Sequence, residues 1–273
     1  MNARLAAEEA APRLAAAGIE DSKFEAELLT REAAGVSRTS YFTGAVLDGD
    51  SADRLESWLA RREQREPAPY ITGHKEFFGR EFRVGSGVLV PRPETELLVE
   101  LGLRELDALP GAWVVEAGTG SGAVAVTFQA ERPTANVTAT EISAEALKFA
   151  SANAARWAPG LALVRCDLLS AVADADIVLA NLPYIPTWEI EALEPEVSRW
   201  EPRVALDGGD DGFRLIRRLV EDCAARLRPA FMALEVGFGQ AGDVAAIVRT
   251  AGAEPWFEKD LAGIDRVVCA RWR

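Results

Sequence analysis

The chain has a single histidine, His74, and only three cysteines, Cys166, Cys223 and Cys269, which lie far apart and form no CxxC pair. Without clustered histidines or paired cysteines there is no metal-ligand spacing, and no metal is expected. Three scattered thiols make no disulfide framework either, so a reducing cytoplasm is the expected compartment. His74 has no serine or cysteine partner that would make it a catalytic base, and it reads as a surface residue near a turn. Positive charge is also short: 30 Lys and Arg stand against 43 Asp and Glu, a formal net charge of -13. That balance argues against a broad surface for nucleic-acid phosphates. No run approaches the roughly 18 apolar residues of a membrane span. The alanine-rich start is interrupted by Arg4, Glu8, Glu9 and Arg13, so no signal-peptide core is expected.

What is present is a globular composition, 49% hydrophobic and 27% charged over 273 residues, enough for one large domain and a smaller one. The larger is organised around Trp113 to Val126, WVVEAGTGSGAVAV. An apolar run breaks into alternating glycines and resumes, which reads as strand, tight loop and helix. Gly118, Gly120 and Gly122 let a ligand approach the backbone and permit positive φ. The helix start should offer it amide donors. Glu141 closes a second apolar run, NVTATE, about 20 residues on, where a carboxylate can hold ribose hydroxyls. No Gly-Lys-Ser/Thr follows, which excludes a phosphate-binding P-loop. Gly118, Gly120 and Ala123 also satisfy the dinucleotide pattern, so an NAD enzyme remains an alternative.

From Asn2 to about Glu66 apolar residues recur at helical spacing, predicting three to five short helices. Gly35 and Gly44 read as helix stops, Ser51 as a helix start, and Ser22 with Glu25 as a capping box. Residues 67 to 93 alternate aromatic and β-branched residues with glycines, predicting a β-hairpin. PRPETE, from Pro91 to Glu96, then leads into a helix. Beyond Trp113 the strands WVVEAG, NVTATE, LALVRC, DIVLAN, FMALEVG and RVVCARW alternate with helical stretches, the mark of a parallel sheet covered on both faces. Ligands of such sheets lie beyond the carboxyl ends of the strands, which draws attention to Glu116 to Gly122, Glu141, Asp167, Asn181 to Tyr184 and Glu235.

Asn181-Leu182-Pro183-Tyr184 follows DIVLA directly and forms a stiff, aromatic loop fit for a planar group. An amide or exocyclic amine nitrogen is a poor nucleophile because its lone pair is delocalised. Two acceptors on its N–H groups, the Asn181 side-chain oxygen and the Leu182 carbonyl, would aim that lone pair at a sulfonium methyl.

In this combination PAPYITGHKEFFGREF, VPRPETE, EAGTGSGAVAV, NVTATE, NLPYIP, EPRVALDGGDDG, LEVGFGQ and DRVVCARW resemble the bacterial PrmC/HemK family, the glutamine methyltransferases of peptide-chain release factors. The resemblance covers nearly the whole chain. It implies an α/β fold: a Rossmann-like class I methyltransferase sheet, mostly parallel with an antiparallel last strand, over residues 93–273. A small N-terminal helical bundle, 1–72, would serve substrate recognition, and a β-hairpin, 73–92, would link the two. S-adenosyl-L-methionine is the implied cofactor, held by Glu116, Gly118, Thr119, Gly120, Gly122, Glu141, Ile142, Asp167, Leu168 and Asn181. Asn181, Leu182, Pro183 and Tyr184 are the implied catalytic residues. Asn181, Pro183, Tyr184, Pro91, Arg92 and Glu94 would take the substrate, the glutamine of a Gly-Gly-Gln loop in release factors. A cytoplasmic monomer is expected, without direct contact to nucleic acid or membrane. Methylation of an adenine amino group and a non-catalytic relative are the alternatives. Three departures stand out: Glu116 and Glu141 replace the family's usual Asp, and Leu182 replaces the first proline of its Asn-Pro-Pro-Tyr.

Overall fold

The computed structural model describes residues 1–272, which fall into two compact units, Met1–His74 with Glu194–Trp200, and Lys75–Leu193 with Glu201 onward. The first unit is helical: α1 (Ala3–Ala16), α2 (Ser22–Ala34), α3 (Arg38–Phe42), α4 (Gly49–Glu63) and α5 (Ala68–Thr72). Ala3, Ala6, Ala7, Ala10, Ala11 and Leu14 make the buried stripe of α1, spaced three and four apart as one helix face requires. Asn2 caps α1, its side chain accepting from the Arg4 amide at 2.9 Å. Gly35, at φ 63°, ends α2 as expected. The other expected caps differ. Ser22 is the first residue of α2 and no side chain caps that helix. Ser51 lies inside the first turn of α4, where its amide donates to the true cap, Asp48, at 2.8 Å. Aspartate wins because it precedes the helix and can reach forward to an orphan amide.

Segment 194–200 joins these helices through charge. Arg62, nearly buried, pairs with Glu25 and with Glu196 at 2.7 Å, and Arg65 meets the same Glu196 at 2.6 Å. His74 closes the unit, its ring 3.5 Å from Glu32 and its Nδ1 3.2 Å from the Thr72 carbonyl.

The expected hairpin forms but is shorter than residues 67 to 93, since 68–72 is the helix α5: it consists of β1 (His74–Phe77) and β2 (Arg80–Arg83). Phe78 and Gly79 both have positive φ, which the two-residue turn between twisted strands demands. Phe77 and Phe82 then meet edge to face, 5.9 Å apart, inside the core. After α6 (Glu96–Ala108) a seven-stranded sheet is built from β3 (Trp113–Ala117), β4 (Asn136–Glu141), β5 (Ala162–Arg165), β6 (Ile177–Ala180), β7 (Phe231–Glu235), β8 (Ala253–Lys259) and β9 (Asp265–Trp272). Its helices are α7 (Ala123–Glu131), α8 (Ala144–Trp157), α9 (Arg214–Asp222) and α10 (Ala241–Thr250).

Strand order is β5-β4-β3-β6-β7-β9-β8, parallel throughout except for β9, which runs antiparallel between β7 and β8. The apolar runs of β6 and β7 are buried end to end because helices cover both faces. Edge strand β8, AEPWFEK, escaped the sequence reading: Pro255 and its charged residues suit an edge and weaken the apolar signal.

Candidate active site

Strand register lays out the site. Ala117 pairs with Thr140 and with Ala180, and Ala180 pairs with Leu234. Gly118, Glu141, Asn181 and Glu235 therefore form one row at the carboxyl edge, where the order of successive strands reverses, β4 lying on one side of β3 and β6 on the other. A cavity of about 640 Å³ opens over this row.

Its floor is the glycine loop. Gly118, Gly120 and Gly122 all have positive φ, but their roles differ. Gly118 and Gly120 line the cavity, and a Cβ on Gly118 would come within 3.0 Å of the Leu182 side chain. Gly122 lies off the cavity wall; a Cβ there would meet Val126 and Ala150, so it serves the close approach of α7 to α8. Four amides of the loop ahead of α7 are engaged within the protein. Gly118 and Thr119 donate to the Thr140 carbonyl at 2.9 Å, and Gly122 donates to Thr119 at 2.8 Å. Gly120 donates to Glu141 Oε2 at 2.9 Å.

Glu141, buried, accepts from Gly120 and, through Oε1, from the Ser143 amide at 2.8 Å. Each oxygen keeps lone-pair capacity for hydroxyl donors. Glu116 is held from beneath: it accepts from the Thr119 hydroxyl and from the Ala125 amide at 3.0 Å. Burial outweighs these bonds and pushes its carboxyl up to about 7. Asn153, unremarked in the sequence, braces the loop. It donates to the carbonyls of Ser121 at 2.8 Å and Arg83 at 3.1 Å, and accepts from the Arg83 amide at 2.7 Å. Ile142, half exposed, and Leu168 add apolar wall beside Asp167, whose carboxylate pairs with Arg218 at 2.7 Å.

Asn181 enters from the other side of the row. Its Nδ2 donates to the Thr95 hydroxyl at 3.1 Å, which leaves Oδ1 as its available acceptor. Leu182 and Pro183 line the cavity, and the Leu182 side chain is buried in the core, so packing holds this position where a proline ring would otherwise stiffen it. Tyr184 does not reach the wall. Its ring packs against the core, its hydroxyl pKa is pushed by burial up to about 12, and its carbonyl accepts from Gln240 Nε2 at 2.8 Å. Gln240 Oε1 in turn accepts from Gly237 at 2.9 Å, tying the loop after β6 to the loop after β7. At the rim Pro91 and Arg92 face the cavity, and Arg92 pairs with buried Glu201 at 2.6 Å. Glu94 is exposed and off the wall; Thr95, beside it in the same turn, is the residue that arrives at Asn181.

Sheet order, the antiparallel insertion of β9 and the carboxyl-edge row define the class: a Rossmann-like methyltransferase. Residues 6–73 match the PrmC N-terminal domain and residues 94–191 the methyltransferase small domain. The release factor glutamine methyltransferase of Cereibacter sphaeroides is 42% identical, with 99% of each chain covered. That of Rhodospirillum rubrum is 41% identical, covering 96% of this chain and 82% of the relative. A methyltransferase structure from Pyrococcus furiosus, 18% identical, shares the fold with a TM-score of 0.55 over 82% of this chain and 98% of that one. This chain belongs to the release factor glutamine methyltransferase family and is a methyltransferase, which sets the NAD alternative aside. Among the described residues no group of His, Cys, Asp and Glu could hold a metal, and no helix is long and apolar enough to cross a membrane.

Proposed function

We propose that the enzyme transfers a methyl group from S-adenosylmethionine to the side-chain amide nitrogen of the glutamine in the Gly-Gly-Gln loop of peptide-chain release factors. The observation that carries this is Asn181, which lines the cavity beside Leu182 and whose Nδ2 is tied to Thr95, leaving Oδ1 as its acceptor.

The residues fit the donor. A 640 Å³ cavity lies in the range of nucleoside-sized sites. Glu141 has acceptor capacity for ribose hydroxyls, Ile142 and Leu168 give a flat base an apolar slot with Asp167 at its edge, and Gly118, Thr119 and Gly120 leave room for the amino-acid part. Glu116 supports the loop from below. When bound, S-adenosylmethionine supplies an electrophilic sulfonium methyl.

Asn181 Oδ1 and the Leu182 carbonyl accept the two N–H bonds of the glutamine amide and aim its lone pair. Such alignment converts a delocalised nitrogen into a positioned nucleophile. Pro91, Arg92 and Pro183 shape the rim that admits one glutamine side chain, with Tyr184 bracing the loop from behind. One N–H proton must leave for charge to balance, and it passes to water. Segment 1–72, which exposes Phe24 and Phe42, is proposed to serve recognition of the protein substrate, joined to the methyltransferase domain, 93–273, by the hairpin region 73–92.

Asn181→Ala should lower methyl transfer to a Gly-Gly-Gln release factor by at least about a hundredfold, as loss of an aligned hydrogen-bonding group does elsewhere. Binding of S-adenosylmethionine, followed by calorimetry, should change little. Undiminished transfer would remove the role assigned to Asn181.

A further inference from the structure

We propose that Glu201 is a positioning residue that holds the Arg92 guanidinium at the mouth of the cavity, where Arg92 donates to the main-chain carbonyls that flank the substrate glutamine. The inference rests on the glutamine reading of the site and adds how a glycine-flanked glutamine is held. Two glycines offer no side chain, so contacts beside the glutamine fall on peptide groups. Peptide carbonyls are acceptors, and the group that matches them is a donor with N–H bonds to spare.

Arg92 is such a donor. It lines the cavity, its side chain is 36% exposed, and the bond from Nη2 to Glu201 Oε2, 2.6 Å, is the hydrogen bond its side chain makes among the described residues. A guanidinium carries five N–H groups, so most remain for a ligand. Arg92 also stands on the acceptor side of the site. Its carbonyl accepts from the Thr95 amide at 3.1 Å, and the Thr95 hydroxyl accepts from Asn181.

The segment alone does not aim this side chain. Residues 84–92 lie in no helix or strand, and Pro91 and Pro93 have no amide to donate. A residue ahead of proline is kept extended, as Arg92 is at φ -101° and ψ 143°. The backbone path is thereby fixed, while the long side chain is free to turn unless something holds it.

Glu201 holds it. Its side chain is 1% exposed, and both oxygens accept, Oε2 from Arg92 and Oε1 from the Val90 amide at 3.2 Å. Two accepting oxygens are the state of a carboxylate. Burial raises its pKa, and Arg92 and the Val90 amide draw it back by favouring the charged form. Pro202 to Ala205, which follow directly, line the cavity. One buried carboxylate therefore joins that wall to the wall of Leu89, Pro91 and Arg92. Stability is a poor account of the pair, because burying a carboxylate carries a desolvation cost that an apolar residue in its place would not.

The test measures kcat, KM for unmethylated release factor, donor affinity and thermal midpoint in Arg92→Ala, Glu201→Gln and the double variant. Glutamine keeps the shape of Glu201 but offers one oxygen to two donors. Arg92→Ala should raise KM for release factor by about tenfold to a hundredfold, the worth of hydrogen bonds from a charged group, and Glu201→Gln by about tenfold. Donor affinity should stay within about twofold, which a general loosening of the site would not allow. Since Glu201 acts through Arg92, adding Glu201→Gln to Arg92→Ala should change KM by less than about twofold. Wild-type KM in either single variant, a loss confined to kcat, or losses that multiply in the double variant would overturn the inference.

A second readout stands apart from the substrate. In 15N spectra the Arg92 Nη protons should be resolved in the wild type, because the bond to Glu201 slows rotation, and should average in Glu201→Gln. Averaged signals in both proteins would overturn the brace. Absence of transfer to release factor by the wild type would instead count against the glutamine reading, and the spectra would then decide the brace alone.

Discussion

At the scale of single residues, the site contains two carboxyl groups held where carboxylates are uncomfortable. Glu116 and Glu235 each have a pKa pushed by burial from 4.5 up to about 7. The unfolded chain releases these protons near the ordinary value, so the folded state binds more protons between the two. Stability from each group is therefore fully present below about 4.5 and is lost as pH rises through about 7. The slope is about 1.4 kcal/mol per pH unit for each group within that window. Glu235→Gln removes one of the two. Its thermal midpoint should fall less steeply than that of the wild type between pH 5.5 and 8, and should not lie below it at pH 8; parallel curves in scanning calorimetry would contradict the burial account.

Residues that act through local pattern were legible in the sequence. Asn181, Glu141 and the loop glycines each sit at the end of an apolar run, and strand ends in a parallel sheet are where ligands bind. Thr95, Asn153 and Gln240 were not legible, because their partners are distant in the chain: Thr95 and Asn181 are 86 positions apart, Asn153 and Arg83 are 70. Gly122 was legible as a glycine needing positive φ, but whether the missing Cβ makes room for a ligand or for a helix is decided only by what packs there.

At the scale of elements, the loop after β6 is held from several sides. Ile185 forms a bridge with Asp207, and Gly208 and Gly212 have no room for a Cβ, which would lie 2.4 Å from the Gly212 and Tyr184 carbonyl oxygens respectively. Gln240 adds its two bonds to Tyr184 and Gly237. Gln240→Ala leaves a carbonyl and an amide without partners, a loss of about 1–3 kcal/mol. That corresponds to a fall of several degrees, at about 2–4 °C per kcal/mol for a chain of this size. Since the loop also holds Asn181 and Leu182, kcat should fall with the midpoint while donor affinity, set on the β3 and β4 side, stays near wild type. Equal loss of donor affinity would show that the two halves of the site are not separable in this way.

Every strand with a strong apolar run was legible, although the runs do not say in what order the strands lie in the sheet. β8 failed because an edge strand can be half polar and carry Pro255. Helix starts failed where two candidate caps lie close together, as with Asp48 and Ser51, since chemistry alone does not say which one precedes the first turn.

At the scale of the whole molecule, the formal charge of -13 sets what the enzyme can approach. A protein loop carrying a neutral glutamine suits such a surface better than a polyphosphate backbone does. The most direct test of the account is to incubate the purified enzyme with S-adenosylmethionine and unmethylated release factor, and to map the added mass by peptide mass spectrometry. The account predicts one methyl group on the glutamine of the Gly-Gly-Gln peptide and none elsewhere. Methyl on a different residue, on nucleic acid at low salt, or on nothing while the donor binds normally would contradict it.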